Sequence, residues 1–193
     1  MRFPITVNEW GVASKMIKLF VVFIGLFFGI DTFSSMHNGF EAYGDVMQFF
    51  TAFLALFLIL YKEYIATAQL LLSAFIALGV MYVSKMFFVY IAANNQVELA
   101  RISQRPNQGS FDGFPSGHST GSFVAAGFIC KKYGFKIGIF AIIAAGLVGI
   151  SRVYADKHTI IQVICGSLLG FFVSYMLTDS KISIKLFSKI LKS

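Results

Sequence analysis

Six apolar runs, each close to the roughly 20 residues that carry a helix across a bilayer, set what this chain can fold into. They fall at about 17–34, 46–61, 64–86, 117–131, 137–153 and 159–178. Backbone in hydrocarbon must satisfy its own hydrogen bonds, so runs of this length fold as helices. The expected architecture is all-α: a six-span transmembrane helical bundle with a short N-terminal interfacial helix. Residues 1–14, with Pro4 and Trp10, supply that interfacial helix, since Trp anchors well at the headgroup level. Composition agrees, with 57% of the 193 residues hydrophobic and 13% charged, against about 25% charged in a soluble domain. A single integral membrane domain over residues 1–193 is expected, with no soluble domain, tandem repeat or linker.

The net charge of +7 could signal nucleic acid or an anionic surface, and the distribution of cations decides for the membrane. With the N-terminus in the cytoplasm, Arg2, Lys15, Lys18, Lys62, Lys131, Lys132, Lys136, Lys181, Lys185, Lys189 and Lys192 lie inside. Those eleven of the 16 Lys and Arg satisfy the positive-inside rule. The 31–45 loop carries Asp31, His37, Glu41 and Asp45 and no Lys or Arg, so it is expected outside. Arg101, Arg105, Arg152 and Lys157 remain on the outer side, with Lys85 near the outer end of the third span. Cations kept on the side that normally lacks them call for a specific reason. No nucleic-acid partner is implied, and oligomeric state has no signature in the sequence.

Cys130 and Cys165 fall within predicted spans, where a thiol acts as a small hydrophobe; neither a disulfide nor a zinc-site spacing is expected. The first apolar run is expected to be retained as a span rather than cleaved as a signal peptide. Lysines at 181, 185, 189 and 192 share one helical face, which suits either an interfacial basic helix on anionic lipid or a solvated tail that fixes topology. Gly117, Gly121 and Ala125, and Gly166 with Gly170, let helices approach closely and predict a tight core of the last three spans. The outer segment at about 87–115 is unusually long, and its apolar start, Phe87 to Ala93, is expected to lie on the outer leaflet as a lid or a lipid-facing ledge.

Two polar islands interrupt the apolar text. Arg105-Pro106 is followed by Pro115-Ser116-Gly117-His118, and Ser151-Arg152 by His158. The Pro-Ser-Gly-His island stands where a loop enters a helix, whose first N–H groups form a ready anion site. Ser116 can cap that helix or donate to a phosphate oxygen, and Gly117 lets backbone come close to an oxyanion. Guanidinium groups such as those of Arg105 and Arg152 match phosphate bidentately. A neutral imidazole at His158 could attack phosphorus while His118 protonates the departing oxygen.

These islands resemble the type 2 phosphatidic acid phosphatase family, whose pattern is Lys-x6-Arg-Pro, Pro-Ser-Gly-His and Ser-Arg-x5-His-x3-Asp. The resemblance covers about residues 85–170 by motif. It implies that His158 forms a phosphohistidine, and that His118 is the general acid and then the base for water. It also implies that Arg105, Arg152, Ser116 and the Gly117 N–H hold the phosphoryl oxygens. No metal and no cofactor are implied. Arg101-x3-Arg105-Pro106, the approach to Phe114-Pro115 and the stretch from Tyr154 to Ile160 look most similar to small bacterial lipid A 1-phosphatases.

Two positions depart from the pattern. Glu98 stands seven residues before Arg105 where the family has Lys; Lys85 and Arg101 are the two candidates to supply that charge. Gln162 stands four after His158 where the family has Asp. Either Gln162, through its carbonyl oxygen, or Asp156 could orient the histidine, and Asp156 could equally cap a helix or pair with Arg152. The resemblance implies a lipid phosphatase of a bacterial inner membrane, with both termini cytoplasmic and the site periplasmic. A phospholipid or lipid A is the expected partner, lipid A 1-phosphate the first choice, and undecaprenyl diphosphate or phosphatidylglycerophosphate the alternatives. A lipid phosphotransferase or a non-catalytic lipid-phosphate binder could use the same residues.

Overall fold

A computed structural model describes residues 36–106 and 109–179. The N-terminal interfacial helix, the first apolar run and the lysine-rich C-terminal stretch lie outside the described residues, as do Asn107 and Gln108. Within them all regular secondary structure is helical: α1 (Met36–Met47), α2 (Phe50–Leu60), α3 (Tyr64–Ala93), a single turn α4 (Val97–Ala100) that runs into a 3-10 turn (Arg101–Ser103), α5 (Gly117–Tyr133), α6 (Phe135–Tyr154) and α7 (Ile160–Leu177). By length and composition α3, α6 and α7 can cross a bilayer, and α1 with α2 can form a fourth, bent crossing.

The helix ends follow local chemistry. Ser116 caps α5, its side chain accepting from the Ser119 N–H, and Lys131 and Lys132 sit in the last turn, where cations complement exposed carbonyls. Gly134, at φ 90°, ends α5 and lets α6 turn back. Thr159 and Gln162 form a reciprocal capping box at the start of α7, satisfying two otherwise unpaired N–H groups.

The core is α5, enclosed by α6 and α7, with α3 across α5 and α7. Glycines make that contact possible. A Cβ on Gly166 would lie 2.5 Å from the Ser116 carbonyl oxygen, and one on Gly170 2.2 Å from that of Thr120. Outward-facing positions carry large apolar side chains such as Phe75, Leu99, Phe140, Ile160 and Phe172, all exposed. A membrane protein presents that surface to lipid.

Two sequence expectations need correction. The third apolar run does not end at 86: no helix breaker interrupts it, and α3 continues to Ala93. Phe87 to Ala93 thus form the last turns of a 30-residue helix rather than a ledge on the leaflet. At 1.5 Å per residue α3 is about 45 Å long, beyond the ~30 Å hydrocarbon core, so its end projects toward the site. The 31–45 segment is not a simple loop either. From Met36 it is helical, bent by 49° from α2, and it buries Tyr43 and Met47. The Tyr43 hydroxyl donates to the Ala144 carbonyl at 2.9 Å, tying α1 to α6.

Candidate active site

The polar islands meet at one end of the bundle, where α5 and α7 begin and α3 and α6 end. His158 lies just before the Thr159 cap and is 3% exposed. Its Nδ1 is 2.9 Å from Gln162 Oε1. The amide's orientation is fixed from the far side, because Gln162 Nε2 donates to the carbonyls of Ile102 (2.9 Å) and Gln104 (3.0 Å). Oε1, which also accepts from the Thr159 N–H, must therefore face the imidazole as an acceptor. His158 carries its proton on Nδ1, and the lone pair falls on Nε2. Burial pushes the imidazole down, to about 4; the Gln162 hydrogen bond opposes this, and the charges of Arg105, Lys85 and His118 reinforce it. It is neutral throughout the physiological range.

Arg105 stands in the loop before α5. Its Nε and Nη2 donate to the two oxygens of Asp112, at 2.7 and 3.1 Å. Burial would raise the Asp112 carboxyl, but hydrogen bonds from Arg105 and Ser110 and the charges of Arg105 and Lys85 bring it to about 2. Lys85, from the projecting part of α3, donates to the Asp112 backbone carbonyl. Buried Ser103 splices the loop, donating to the Phe111 carbonyl at 2.8 Å and accepting from the Phe114 N–H at 2.9 Å. Gly113 is where loop and histidine support touch, since a Cβ there would lie 2.7 Å from Gln162 Oε1.

Arg152 is fully buried at the end of α6. Its Nε donates to Ser151 Oγ at 3.2 Å and its Nη1 to Asp45 Oδ1 at 2.5 Å; its Nη2 donates to the Glu41 carbonyl. The same Asp45 oxygen is 3.2 Å from His118 Nε2. His118 and Ser116 stand at the start of α5, and Ser116 N donates to the Gln162 carbonyl at 2.9 Å. Ser116 Oγ accepts from the Ser119 amide and hydroxyl, which leaves its own hydroxyl hydrogen for a further acceptor. Gly117 meets only ordinary contacts with Met81, so packing does not require a glycine there.

The structure thus brings together His158, His118, Arg105, Arg152, Lys85, Ser116, Gly117 and Gln162. Arg101 is not among them: it is exposed on the 3-10 turn and paired with Glu98 at 2.9 Å. Asp156 is not among them either. It adopts φ 51° in the turn after α6 and is exposed, while Arg152 is turned inward to Asp45. Among the described residues, no group of three or more His, Cys, Asp and Glu could hold a metal ion.

A nucleophilic nitrogen, a second imidazole and three cations around one helix N-terminus can accept a phosphoryl group. The superfamily model described as PAP2 matches residues 66–181, more than half of the chain and all of the polar islands. The chain belongs to the PAP2 superfamily. It is therefore a phosphoric ester hydrolase by family. It is similar to a Helicobacter pylori (strain J99) lipid A 4'-phosphatase, 35% identical over 139 residues, which are 72% of this chain and 69% of that one. Lipid A 1-phosphatases of H. pylori strains 26695 and J99 are 30% and 29% identical over 100 residues, 52% of this chain and 50% of each of theirs. No solved structure matches the chain.

Set beside the PAP2 motifs, the structure adds Asp45, Glu41, Asp112 and Ser103, which sequence reasoning did not assign to the site. The one available signal was a run of acidic residues without cations in 31–45, opposite an outer side rich in arginine. A prediction separates the two candidate cations. Lys85→Met is expected to lower kcat/KM by about ten- to a hundredfold, because a charge-assisted contact is worth about 1.5–3 kcal/mol and ~1.4 kcal/mol is tenfold in rate. Arg101→Met should change it by less than about threefold, the range of an exposed ion pair. Phosphate release at matched expression checks both, and a large loss at Arg101 with a mild one at Lys85 would reverse the assignment.

Proposed function

We propose that this PAP2 protein is a lipid A phosphatase of a bacterial inner membrane. It would be one domain of six spans, with both termini cytoplasmic and the site periplasmic. Two things support that topology: the cations at the 131–136 end of the bundle obey the positive-inside rule, and the polar islands lie at the opposite end. The observation that carries the reaction is the Gln162–His158 hydrogen bond, which leaves the Nε2 lone pair free near the charges of Arg105 and Lys85.

In the first step His158 Nε2 attacks phosphorus, forming a P–N bond as the P–O bond to the lipid breaks. His118 gives its proton to the departing oxygen. In the second step water attacks phosphorus while His118 takes its proton, the P–N bond breaks, and inorganic phosphate leaves with His158 restored. Arg105, Arg152, Lys85, the Ser116 hydroxyl and the Gly117 N–H hold the three oxygens through both displacements, neutralising charge that grows in the transition states. These groups suffice without a metal ion, so turnover is expected to persist in excess EDTA. Loss of activity with the chelator and recovery with a divalent ion would contradict this.

Of the two phosphates on lipid A, similarity favours the 4' position, since the 4'-phosphatase is both more identical and matched over a longer stretch. The 1-phosphate suggested by the motif approach is the rival outcome. Fragmentation mass spectra of lipid A before and after expression of the chain decide between them. Free phosphate in the same assay separates hydrolysis from transfer to a second lipid. Unchanged lipid A at confirmed expression would refute the substrate.

A further inference from the structure

Among the described residues, Asp45 is the one side chain that touches both a site arginine and a site histidine, and it comes from α1, outside every motif island. Its Oδ1 accepts from Arg152 Nη1 at 2.5 Å and lies 3.2 Å from His118 Nε2. The contact is built in. A Cβ on Gly44 would lie 2.0 Å from Ser151 Oγ and 2.5 Å from Arg152 Nη2, so α1 can seat Asp45 there only because its neighbour is glycine. Glu41, one turn earlier, gives its carbonyl to Arg152 Nη2 and its carboxylate to Lys157. Three polar contacts therefore clamp α1 over the end of α6.

We propose that Asp45 is a positioning residue for His118, holding that ring by Nε2 so that Nδ1 delivers the proton to the departing lipid oxygen. The inference rests on the reading of His118 as general acid. A proton donor at a helix N-terminus beside Arg152 needs an anionic partner, and Asp45 is the carboxylate in contact with it. The same oxygen fixes one edge of the Arg152 guanidinium. Three of its five N–H groups are then held by protein, and two remain for phosphate.

A general acid matters most when the leaving oxygen is basic, so the test is the dependence of kcat/KM on the leaving group. The substrates are phosphate monoesters in detergent, running from 4-nitrophenyl to alkyl. Wild type is expected to show a shallow slope. His118→Ala should steepen it, with the alkyl ester losing on the order of 10²–10⁴. Asp45→Asn should also steepen it, the alkyl ester losing at least about tenfold more than the aryl ester, and it should add nothing further on the His118→Ala background. Asp45→Glu, which keeps the charge, should return toward the wild-type slope; Asp45→Ser replaces the Asn variant if that one does not accumulate. Equal losses on both esters, or a Glu variant as steep as the neutral ones, would make Asp45 merely structural. A steep slope for His118→Ala with a wild-type slope for Asp45→Asn overturns the Asp45 role alone. A shallow slope for His118→Ala overturns the general-acid reading itself, and a wild type without turnover on any ester overturns both.

Discussion

A His158→Ala variant is expected to accumulate in the membrane as well as the unaltered chain and to release no measurable phosphate from lipid A. Truncation removes the Nδ1 bond to Gln162, but Gln162 Oε1 keeps the Thr159 N–H at 3.2 Å and its amide nitrogen keeps both carbonyls. The acceptor is thus not left unpaired, and the cost in stability is on the order of 1 kcal/mol. The cost in rate is of another order. Loss of a nucleophile that works as a unit with its acid costs about 10⁴–10⁶ in kcat. The other imidazole near the site, His118, is engaged by Asp45. Phosphate release at matched expression is the check, and turnover within about tenfold of wild type would remove His158 as nucleophile.

Gln162→Glu is expected to be clearly damaging, although it replaces one atom and moves the residue closer to the family's carboxylate. In this chain the amide nitrogen donates to the carbonyls of Ile102 and Gln104, and Gln162 is fully buried. A carboxylate oxygen there would face two carbonyl oxygens at about hydrogen-bond distance, with two donors lost. Leaving buried acceptors unpaired costs about 1–3 kcal/mol each. The side chain must then take up a proton or move, and either response releases the His158 ring and the loop that carries Arg105. A loss of about ten- to a hundredfold in kcat/KM is expected, with a lower melting temperature. A Glu variant more active than the parent chain would show that the amide is a defect rather than a matched part of this loop.

That example marks where sequence reading stopped. The Gln162 side chain one helical turn beyond His158 is a local relation, and an i to i+4 spacing displays it. The two carbonyls that decide which way the amide faces lie about sixty residues away, on a 3-10 turn no periodicity announces. Arg152 and Asp45 are separated by 107 residues, and neither end of that contact carries a local signature of the other. The apolar runs at 117–131, 137–153 and 159–178 matched α5, α6 and α7 within a few residues, because a Ser cap, a Gly turn and a Thr-Gln capping box mark their ends. The run at 64–86 did not show its end. Nothing between Phe87 and Ala93 distinguishes two more helical turns from an apolar strip on the leaflet; the contact made from the added turns is a tertiary one, Phe88 edge-on to Phe114 with ring centroids 5.6 Å apart. Exposed ion pairs misled in the other direction: Arg101 has the right charge beside Arg105, and its i, i+3 partner Glu98 takes it.

The measurement that bears most directly on the account is the identity of the phosphorylated residue during turnover. Lipid A labelled with radioactive phosphate at the hydrolysed position would be mixed with the protein in detergent, quenched in alkali within the first turnover and digested. His118→Ala serves as a second sample, because loss of the base for water slows breakdown of the intermediate. The account predicts label on the peptide bearing His158, stable in base and released by mild acid, and no label in His158→Ala. Label on any other residue would contradict it, as would a full turnover of free phosphate with no labelled protein in either sample.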